Sequence, residues 1–242
     1  MSKAGVALIT GAARRIGAAI ARELHGVGLN VLVHYRSSGA EARTLVAELN
    51  RARPDSADAL RANLLGLSAV DKLAQEAHAR WGRLDALINN ASSYEKTPLS
   101  SITEEAFDHL IGSNLKAPLF LTRACARLMD QGVVVNIADA KPARAGFAAY
   151  GAAKTGLVAL TEILALELAP LIRVNAVAPG HILWAESTKL GEAQQQSELA
   201  RVPLQRMGTP QDIARVVRFL LSQDAQYLTG AIIPVDGGLR LT

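Results

Sequence analysis

Short, continuous apolar runs alternate with helical patterns along the whole chain, and this alternation constrains the fold more than any other feature. Most of the runs are unbroken stretches of Val, Ile, Leu and Ala, as in strands that are buried on both faces of a parallel sheet. The predicted strands are residues 5–10, 30–35, 56–62, 84–89, 132–137, 172–178 and 231–236. Apolar residues at three- and four-residue steps predict helices over 15–28, 40–51, 69–81, 103–129, 150–169 and 210–221.

This alternation predicts an α/β fold, a doubly wound parallel sheet of about seven strands with helices on both faces. Thr103 and Thr209 stand at two predicted helix starts, where a hydroxyl caps the helix and acids or proline occupy the first turn. Residues 180–208 contain no predicted strand. We expect residues 1–242 to form a single domain in which this stretch is a substrate lid over the ligand crevice.

The amino-acid composition limits the classes of protein to which the chain can belong. Half of the residues are apolar and a fifth are charged, as in globular proteins. The net charge is only +4 and no basic run is longer than Arg14-Arg15, so we expect no nucleic-acid partner. Cys125 is the single cysteine, which suits a reducing compartment, and no apolar run approaches the length of a membrane span. We therefore expect a cytoplasmic protein that does not enter a membrane.

The first predicted strand runs into the sequence TGAARRIG, Thr10 to Gly17, and then into a helix. A tight glycine turn between a strand and a helix presents free backbone N–H groups and the positive end of the helix dipole to a pyrophosphate. Gly11 would permit the turn, and Gly17 the close packing of helix on strand. An ordinary βα turn is the alternative interpretation, but the position after the first strand favours a dinucleotide.

The end of the second predicted strand indicates which dinucleotide. A chain specific for NAD places an acid about 20 residues after the glycines, where it holds the ribose 2′-hydroxyl. Here the sequence is VHYRSSGAEA, with Arg36, Ser37 and Ser38 at that place and Arg14 in the glycine turn. A guanidinium and hydroxyls bind a 2′-phosphate through charge-assisted hydrogen bonds, so NADPH is the predicted cofactor. The alternative interpretation is that Arg36 is a solvated charge on the protein surface.

Tyr150 and Lys154 are four residues apart at the start of a predicted helix and share one face. A Lys beside a phenol lowers the pKa of the phenol, which makes Tyr a proton donor near neutral pH. The pair alone is common on solvated helix faces. It carries more weight together with the glycine turn and with Asn89-Asn90-Ala91, a strand end whose small residues let a cofactor ring lie close.

Together these motifs resemble the short-chain dehydrogenase/reductase family along essentially the whole chain. The matching elements are Thr10-Gly11…Gly17, Asn89-Asn90-Ala91, Asn114, Tyr150 with Lys154, Pro179-Gly180 and Val235-Asp236-Gly237-Gly238. The resemblance implies an oxidoreductase with a Rossmann-like fold, often a homotetramer. It also implies that Tyr150 is the acid/base, that Lys154 holds Tyr150 and the nicotinamide ribose, and that Asn114 bends its helix and supports a water of the proton relay.

The sequence departs from that family pattern at three positions, and these departures bear on which type of substrate the protein reduces. Arg15 replaces a glycine of the turn, Ser92 replaces the glycine after Asn-Asn-Ala, and Asp139 replaces the catalytic Ser. A carboxylate would repel the alkoxide that forms in ketone reduction. In a nitrogen heterocycle a ring nitrogen takes the proton, and the N–H groups of an aminopyrimidine need an acceptor, which Asp139 supplies. A decayed site in which Asp139 caps a turn is the alternative.

The three departures and the sequence NNASSYEKTPL resemble the sequence pattern of the pteridine reductases, a branch of this family. That branch overlaps with bacterial dihydromonapterin reductases and secondary dihydrofolate reductases. The resemblance implies the catalytic residues Asp139, Tyr150, Lys154 and Asn114. The NADPH-binding residues that it implies are Gly11, Arg14, Arg15, Ile16, His34, Tyr35, Arg36, Ser37, Asn63, Leu64, Asn90, Ala91, Ser92, Tyr150, Lys154, Pro179 and Gly180. The pterin-binding residues that it implies are Arg15, Ser92, Tyr94, Asp139, Tyr150, Leu183 and Trp184, with Tyr94 stacked on the pterin.

Two features differ from that branch, the short spacing of Asp139 and Tyr150 and the phenol at Tyr94. The sequence therefore predicts an NADPH-dependent pteridine reductase with a small-molecule pterin as its substrate. A reductase of 3-oxoacyl thioesters or small ketones is the enzymatic alternative, and it would require Asp139 to be protonated or turned away. A dinucleotide-binding regulator without catalysis is the other alternative, although binding alone does not require Tyr150, Lys154 and Asn114 together.

Overall fold

A computed structural model describes residues 4–182 and 191–242 of the protein. The strands within these residues are Val6–Ile9 (β1), Asn30–Tyr35 (β2), Ala57–Arg61 (β3), Ala86–Asn89 (β4), Gly132–Ile137 (β5), Ile172–Pro179 (β6) and Ile232–Val235 (β7). They form one parallel sheet in the order β3-β2-β1-β4-β5-β6-β7. The predicted α/β fold is confirmed, and each predicted strand is present with ends that shift by no more than two residues.

The helices pack on both faces of this sheet. Those within the described residues are Arg15–Gly26 (α1), Gly39–Ala52 (α2), Leu67–Trp81 (α3), Glu104–Ile111 (α4), Ala117–Ala126 (α5), Ala148–Leu168 (α6), Glu192–Ala200 (α7) and Pro210–Leu221 (α8). The Thr103 and Thr209 hydroxyls accept hydrogen bonds from the N–H groups of Ala106 and Asp212, so both predicted caps are present. α7 lies inside the 180–208 stretch, which has no strand in its described part.

The long helix predicted over 103–129 is instead two helices, α4 and α5, joined by the π-helical segment Gly112–Lys116. Asn114 lies in this segment, and its Nδ2 donates to the Leu110 carbonyl at 3.0 Å and to the Ser93 carbonyl at 2.9 Å. A side chain that occupies a main-chain carbonyl widens the helical turn. The distortion that the family resemblance implies at Asn114 is therefore present, and it ties the helix to the loop after β4.

The sheet is buried on both faces, which explains why its strands are unbroken apolar runs. Along β1, Ala7 and Ile9 pack into the layer that contains α1 and α8, while Val6 and Leu8 pack into the layer that contains α3 and α5. Successive strand residues point to opposite faces, so a strand between two helical layers needs an apolar residue at every position.

Helix α6 is long and apolar enough to cross a membrane, judged by length and composition alone. In the structure it packs against β6, and 44% of its apolar window is buried inside the fold. It also carries the buried side chains of Tyr150 and Lys154. We therefore interpret α6 as a core helix that positions functional residues.

The strand order places β1 between β2 and β4, so the connections on the two sides of β1 run in opposite directions across the sheet. At such a point the neighbouring loops diverge and leave a crevice at the carboxyl ends of the strands. The loops after β1, β4, β5 and β6 all line this crevice. The fold thereby brings motifs that are far apart in sequence into one place.

Candidate active site

The crevice is a cleft of about 1040 Å³. Every predicted cofactor residue lines it except Ser37, which is exposed, whereas the adjacent Ser38 does line it. The predicted pterin-binding residues in the cleft wall are Arg15, Ser92, Tyr94, Asp139 and Tyr150. The other two, Leu183 and Trp184, lie outside the described residues.

The turn after β1 requires glycine at two places. Gly11 has a φ of +61°, and a Cβ there would lie 3.0 Å from Ala91 Cα. A Cβ on Gly17 would lie 2.5 Å from the Gly11 carbonyl oxygen, so α1 can approach the turn only without a side chain at that position. Helix α1 begins at Arg15, directly after this turn, and Arg15, Ile16 and Gly17 line the cleft. This arrangement fits a pyrophosphate.

Arg15 stands where the family pattern has glycine, and it retains a left-handed backbone with a φ of +54°. For a residue that carries a side chain, this conformation costs about 1–2 kcal/mol. Arg15 also lines the cleft. An unfavourable backbone conformation at a cleft residue points to a functional reason for the arginine.

His34 supports the glycine turn and is only 2% exposed. Its Nδ1 accepts a hydrogen bond from the Gly11 N–H at 3.1 Å, so the ring proton resides on Nε2, which lies 3.2 Å from the Ala62 carbonyl oxygen. Burial lowers the pKa of His34 to about 4. His34 is therefore neutral at physiological pH, and both of its ring nitrogens form hydrogen bonds with main-chain groups of the protein. His34 would therefore affect a bound cofactor through the shape of the turn that it supports.

Thr10 and Asn90 join the glycine turn to the end of β4. Thr10 Oγ1 accepts hydrogen bonds from the N–H groups of Asn90 and Ala91, both at 2.9 Å. The Asn90 amide in return donates to the carbonyls of Thr10 at 2.8 Å and Gly11 at 3.1 Å. The side-chain amide of Asn90, a predicted cofactor residue, is thus directed at the turn itself.

Two arginines lie side by side where β2 and β3 end. Arg36 lines the cleft, and it lines an adjoining cavity of about 450 Å³ together with Arg61 and Lys72. Arg61 Nε donates to the Arg36 carbonyl at 3.3 Å. Neither guanidinium forms an ion pair with a carboxylate of residues 4–182 or 191–242, whereas Arg14 pairs with Glu41 at 3.7 Å. A guanidinium of this kind fits an anion such as a 2′-phosphate, and both arginines line the same cavity. Sequence reasoning missed Arg61.

Asp139 follows β5 and Tyr150 lies in the first turn of α6, and the loop between them brings the two side chains together. The Tyr150 hydroxyl donates to Asp139 Oδ2 at 2.9 Å. Burial raises the pKa of Tyr150, and the charge of Asp139 and this hydrogen bond raise it further. The net shift in the pKa of this phenol is therefore upward, opposite to the lowering expected from Lys154, because burial and the neighbouring charge of Asp139 dominate.

Lys154 is 3% exposed, and its Nζ donates to the Ile137 carbonyl at 2.7 Å. Nζ lies 5.9 Å from the centroid of the Tyr150 ring. Burial lowers the pKa of Lys154 to about 8, and the charge of Asp139 opposes this shift. Lys154 is therefore mostly charged at pH 7, and it loses that charge within the pH range of ordinary assays.

Arg144 is a cleft residue that sequence reasoning missed. It lies in the loop between Asp139 and Tyr150, and its Nη2 is 3.2 Å from Asp139 Oδ1 and 3.4 Å from Oδ2. Its Nε donates to the Lys141 carbonyl at 2.9 Å, and the Lys141 N–H donates to Asp139 Oδ1 at 2.8 Å. The short spacing of Asp139 and Tyr150 signals an unusual loop, but it does not show that Arg144 folds back onto the carboxylate.

An aromatic pair stands beside the Tyr150 hydroxyl. Tyr94 stacks on Phe147, with ring centroids 4.9 Å apart and 21° between the planes, and it meets Tyr150 edge to face at 4.9 Å. The Thr97 N–H donates to the Gly146 carbonyl at 2.7 Å, which joins the loop after β4 to the loop before α6. Sequence reasoning did not include Phe147. The pair forms a wall that suits a planar ring.

Asn114 is fully buried and does not line the cleft. Its Oδ1 accepts a hydrogen bond from Ser92 Oγ at 2.6 Å, and Ser92 does line the cleft. Asn114 therefore acts on the cleft by holding Ser92, in addition to shaping its own helix.

The described part of the 180–208 stretch adds charged side chains to the cleft. His181 Nε2 lies 3.2 Å from Glu198 Oε2, and Arg201 Nη1 lies 3.4 Å from the same oxygen. All three residues line the cleft. Burial and then the charge of Arg144 lower the pKa of His181. Helix α7 is thereby linked to the segment after β6, close to the loop that carries Arg144.

Comparisons with known proteins cover nearly the whole chain. A family model described as enoyl-(acyl carrier protein) reductase matches residues 11–240. Pteridine reductase 1 of Leishmania tarentolae is 38% identical, over 99% of this chain and 97% of the relative. An uncharacterized oxidoreductase of Methylorubrum extorquens is 37% identical, over 97% of each chain. A 3-oxoacyl-[acyl-carrier-protein] reductase of Staphylococcus aureus is also 37% identical, over 97% of this chain and 98% of the relative.

Proposed function

The chain belongs to the short-chain dehydrogenase/reductase family of oxidoreductases, and on that premise we propose that it is an NADPH-dependent pteridine reductase. Its substrate is a dihydropterin, which it converts to a tetrahydropterin, with oxidised pterins and dihydrofolate as further candidates. The observation that carries the proposal is the 2.9 Å hydrogen bond from the Tyr150 hydroxyl to the Asp139 carboxylate in the cleft wall. The 38% identity to a pteridine reductase supports it.

The cleft fits a dinucleotide at both of its ends. The glycine turn and the start of α1, with Arg15 and Ile16, would hold the pyrophosphate. Arg36, Ser38 and Arg61 would hold the 2′-phosphate, which makes NADPH the preferred form. Lys154 would hold the nicotinamide ribose at the other end. When bound, NADPH supplies the hydride for the reduction.

Reduction of a C=N bond adds hydride to the ring carbon and a proton to the ring nitrogen, so that the bond becomes CH–NH. Tyr150 delivers the proton, because its hydroxyl reaches the cleft and Asp139 keeps it protonated. The positive charge of Lys154 then stabilises the phenolate that the transfer leaves. Asp139 accepts hydrogen bonds from N–H groups of the aminopyrimidine. A proton taken up from solvent, by way of this carboxylate, returns the phenolate to its protonated state.

The remaining residues place the substrate. We assign the wall of Tyr94 and Phe147 to the face of the pterin ring, and Ser92, held by Asn114, to the ring edge. Arg15 would lie between the pterin and the cofactor phosphates. Leu183 and Trp184 in the lid over 180–208 remain predicted pterin contacts.

The cell location and the assembly of the protein are also proposals. We propose a cytoplasmic homotetramer, as the family resemblance implies. Ile163 and Leu166 are exposed apolar residues on the outer face of α6 and suit a subunit interface. Light scattering coupled to size-exclusion chromatography measures the mass in solution, and a monomer would contradict this part of the proposal.

A reductase of 3-oxoacyl thioesters is the second candidate function. The 37% identity to the staphylococcal 3-oxoacyl-[acyl-carrier-protein] reductase favours it. In that reaction an alkoxide develops beside the group at position 139, and a carboxylate there would repel it. This candidate therefore requires Asp139 to be protonated or turned away from the substrate.

The experiment that separates the candidates is NADPH oxidation with dihydrobiopterin, dihydromonapterin and dihydrofolate against a 3-oxoacyl thioester. The wild-type chain is compared with Asp139→Ser and with the control Asp71→Ser, which removes a carboxylate from an exposed ion pair. We expect pterin turnover in the wild type and the control, and its collapse in Asp139→Ser. Thioester turnover that Asp139→Ser keeps or improves, without pterin turnover in the wild type, would establish the second candidate. NADPH binding without turnover of any substrate would indicate a regulator.

A further inference from the structure

Asp139 must remain ionised to act as an acceptor, although its side chain is only 10% exposed. Burial of a carboxylate without a compensating cation favours its protonated form. A protonated Asp139 would donate a hydrogen bond, as the serine of the family pattern does. The charge state of this one residue therefore decides which kind of substrate the cleft stabilises.

Arg144 is the cation in contact with this carboxylate. Its Nη2 lies within 3.4 Å of both Asp139 oxygens, and its Nε is anchored to the Lys141 carbonyl at 2.9 Å. The Lys141 N–H also donates to Asp139 Oδ1 at 2.8 Å. The guanidinium thus bridges the loop backbone and the carboxylate with two different nitrogens, a geometry that a lysine cannot reproduce.

The contacts of Asp139 leave it one orientation. Oδ1 receives the Lys141 N–H and the Arg144 guanidinium, while Oδ2 receives the Tyr150 hydroxyl. Arg144 opposes the effect of Asp139 on the phenol, because its positive charge lowers the pKa of Tyr150. Removal of Arg144 would therefore change both the charge and the direction of the Asp139 carboxyl group.

Other charged and titratable groups around Asp139 come from each element that borders the cleft there. They are Lys141 and Arg144 on its own loop, Tyr150 and Lys154 on α6, Tyr94 after β4, Arg15 in the glycine turn, His181 after β6, and Glu198 and Arg201 at the end of the α7 segment. Lys154 donates to the Ile137 carbonyl and not to Asp139. Of these groups, Arg144 is the cation whose side chain forms an ion pair with Asp139 among the described residues.

We propose that Arg144 is a positioning residue that holds the Asp139 carboxylate as an acceptor aimed at Tyr150, and that it thereby directs the cleft to nitrogen heterocycles with N–H groups rather than to ketones. This inference rests on the proposed pteridine reductase function and names a residue that determines its substrate class. Without Arg144, the Asp139 carboxyl group loses both its neighbouring positive charge and its fixed direction.

The test is the pH dependence of kcat and KM for dihydrobiopterin and for a 3-oxoacyl thioester. The variants are Arg144→Met, Arg144→Lys and the control Arg123→Met, which removes an arginine from an exposed ion pair with Asp71. We expect Arg144→Met to lower kcat for the pterin by about tenfold to hundredfold, with a smaller change in KM. The acid limb of its profile should move to higher pH, because the positive charge beside the carboxylate is lost.

The conservative variant separates charge from geometry. Arg144→Lys retains the positive charge, so its acid limb should stay at the wild-type pH while kcat is only partly restored. Thioester reduction relative to pterin reduction should rise in Arg144→Met and not in Arg123→Met. If Arg144→Met does not fold, as judged by thermal melting, Arg144→Lys and Arg144→Gln give the same comparison of a charged with a neutral side chain.

Two outcomes would overturn the inference and are distinct from failure of the proposed function. A pH profile of Arg144→Met that superimposes on the wild-type profile, with only KM raised, would make Arg144 a substrate contact. Unchanged kinetics in all Arg144 variants would give it no role. Failure of the proposed function appears instead in the wild type, as an absence of pterin turnover.

Discussion

The hydroxyl of Tyr150 donates to Asp139 Oδ2 at 2.9 Å, so the proposed proton donor is held in its protonated form by the carboxylate that replaces the serine of the family pattern. Burial and the charge of Asp139 both raise the pKa of Tyr150. A raised pKa keeps the proton on the phenol but makes the phenol a weaker acid, so transfer to a ring nitrogen needs the positive charge of Lys154 to stabilise the phenolate. The pair therefore suits reduction of a C=N bond better than oxidation of an alcohol.

Tyr150→Phe keeps the ring and its contact with Tyr94 but removes the proton. We expect kcat for dihydropterin reduction to fall by about a hundredfold to ten-thousandfold, the usual contribution of a general acid. NADPH affinity, measured by fluorescence titration, should remain close to that of the wild type. Turnover that survives the substitution would assign proton delivery to another group.

The pH dependence at high pH should follow Lys154, whose pKa burial lowers to about 8. Lys154 is charged below this pH and neutral above it, so kcat should decline as pH rises through about 8. Lys154→Arg keeps its charge at high pH, and its remaining activity should lack the decline. A pH–rate profile between pH 6 and pH 10 measures both enzymes. The same decline in the arginine variant would assign it to a different residue.

His34 should make the fold sensitive to acid. Its pKa in the folded chain is about 4 against an ordinary value of 6.5, so the unfolded chain takes up a proton first. The stability contribution is full above pH 6.5 and is lost as pH falls toward 4. Between pH 7 and pH 5 the loss is about 2 kcal/mol.

His34→Gln keeps a donor and an acceptor near Gly11 and Ala62 but cannot titrate. The free energy of unfolding, measured in urea, should fall between pH 7 and pH 5 in both proteins. We expect this fall to be smaller in the variant than in the wild type, by about 2 kcal/mol. Parallel declines in the two proteins would show that other groups cause the acid sensitivity.

Arg61 should contribute to the preference for NADPH over NADH, because it lies beside Arg36 and has no ion pair with a described carboxylate. A hydrogen bond to a charged group is worth about 1.5–3 kcal/mol, so Arg61→Ala should raise the Kd of NADPH by about tenfold or more. The Kd of NADH should not change. Calorimetric titration measures both, with the exposed Arg215→Ala as the control. Equal loss for both dinucleotides would place Arg61 away from the 2′-phosphate.

Arg15→Gly should separate stability from function. Glycine adopts the φ of +54° without strain, although it also loses more entropy on folding, so we expect stability to stay equal or rise by up to about 1 kcal/mol. The KM values for NADPH and dihydropterin should rise, since the proposed contacts of the guanidinium are lost. Urea unfolding and steady-state kinetics measure the two effects. A clear loss of stability would mean that Arg15 serves the fold instead.

The sheet, the order of its elements and most of the cleft lining could be predicted from the amino-acid sequence. Runs such as residues 132–137 are apolar at every position because both faces of the strand are covered, and that physical requirement is visible in the letters alone. Gly11 and Gly17 were likewise predictable, because a tight turn and a close helix approach exclude a Cβ.

The interactions among the predicted residues depend on the folded arrangement of the chain. The π-helical segment at Asn114 divides a helix whose apolar pattern is continuous, because the Asn114 amide bonds to carbonyls of Leu110 and Ser93. Arg61 and Phe147 belong to the site because they contact residues of other loops or strands, Arg36 and Tyr94 respectively. The direction of the Tyr150 pKa shift depends on which charge lies next to the hydroxyl, and that is Asp139. Spacing in sequence cannot show this, since electrostatic and hydrogen-bond energies depend on distances in space.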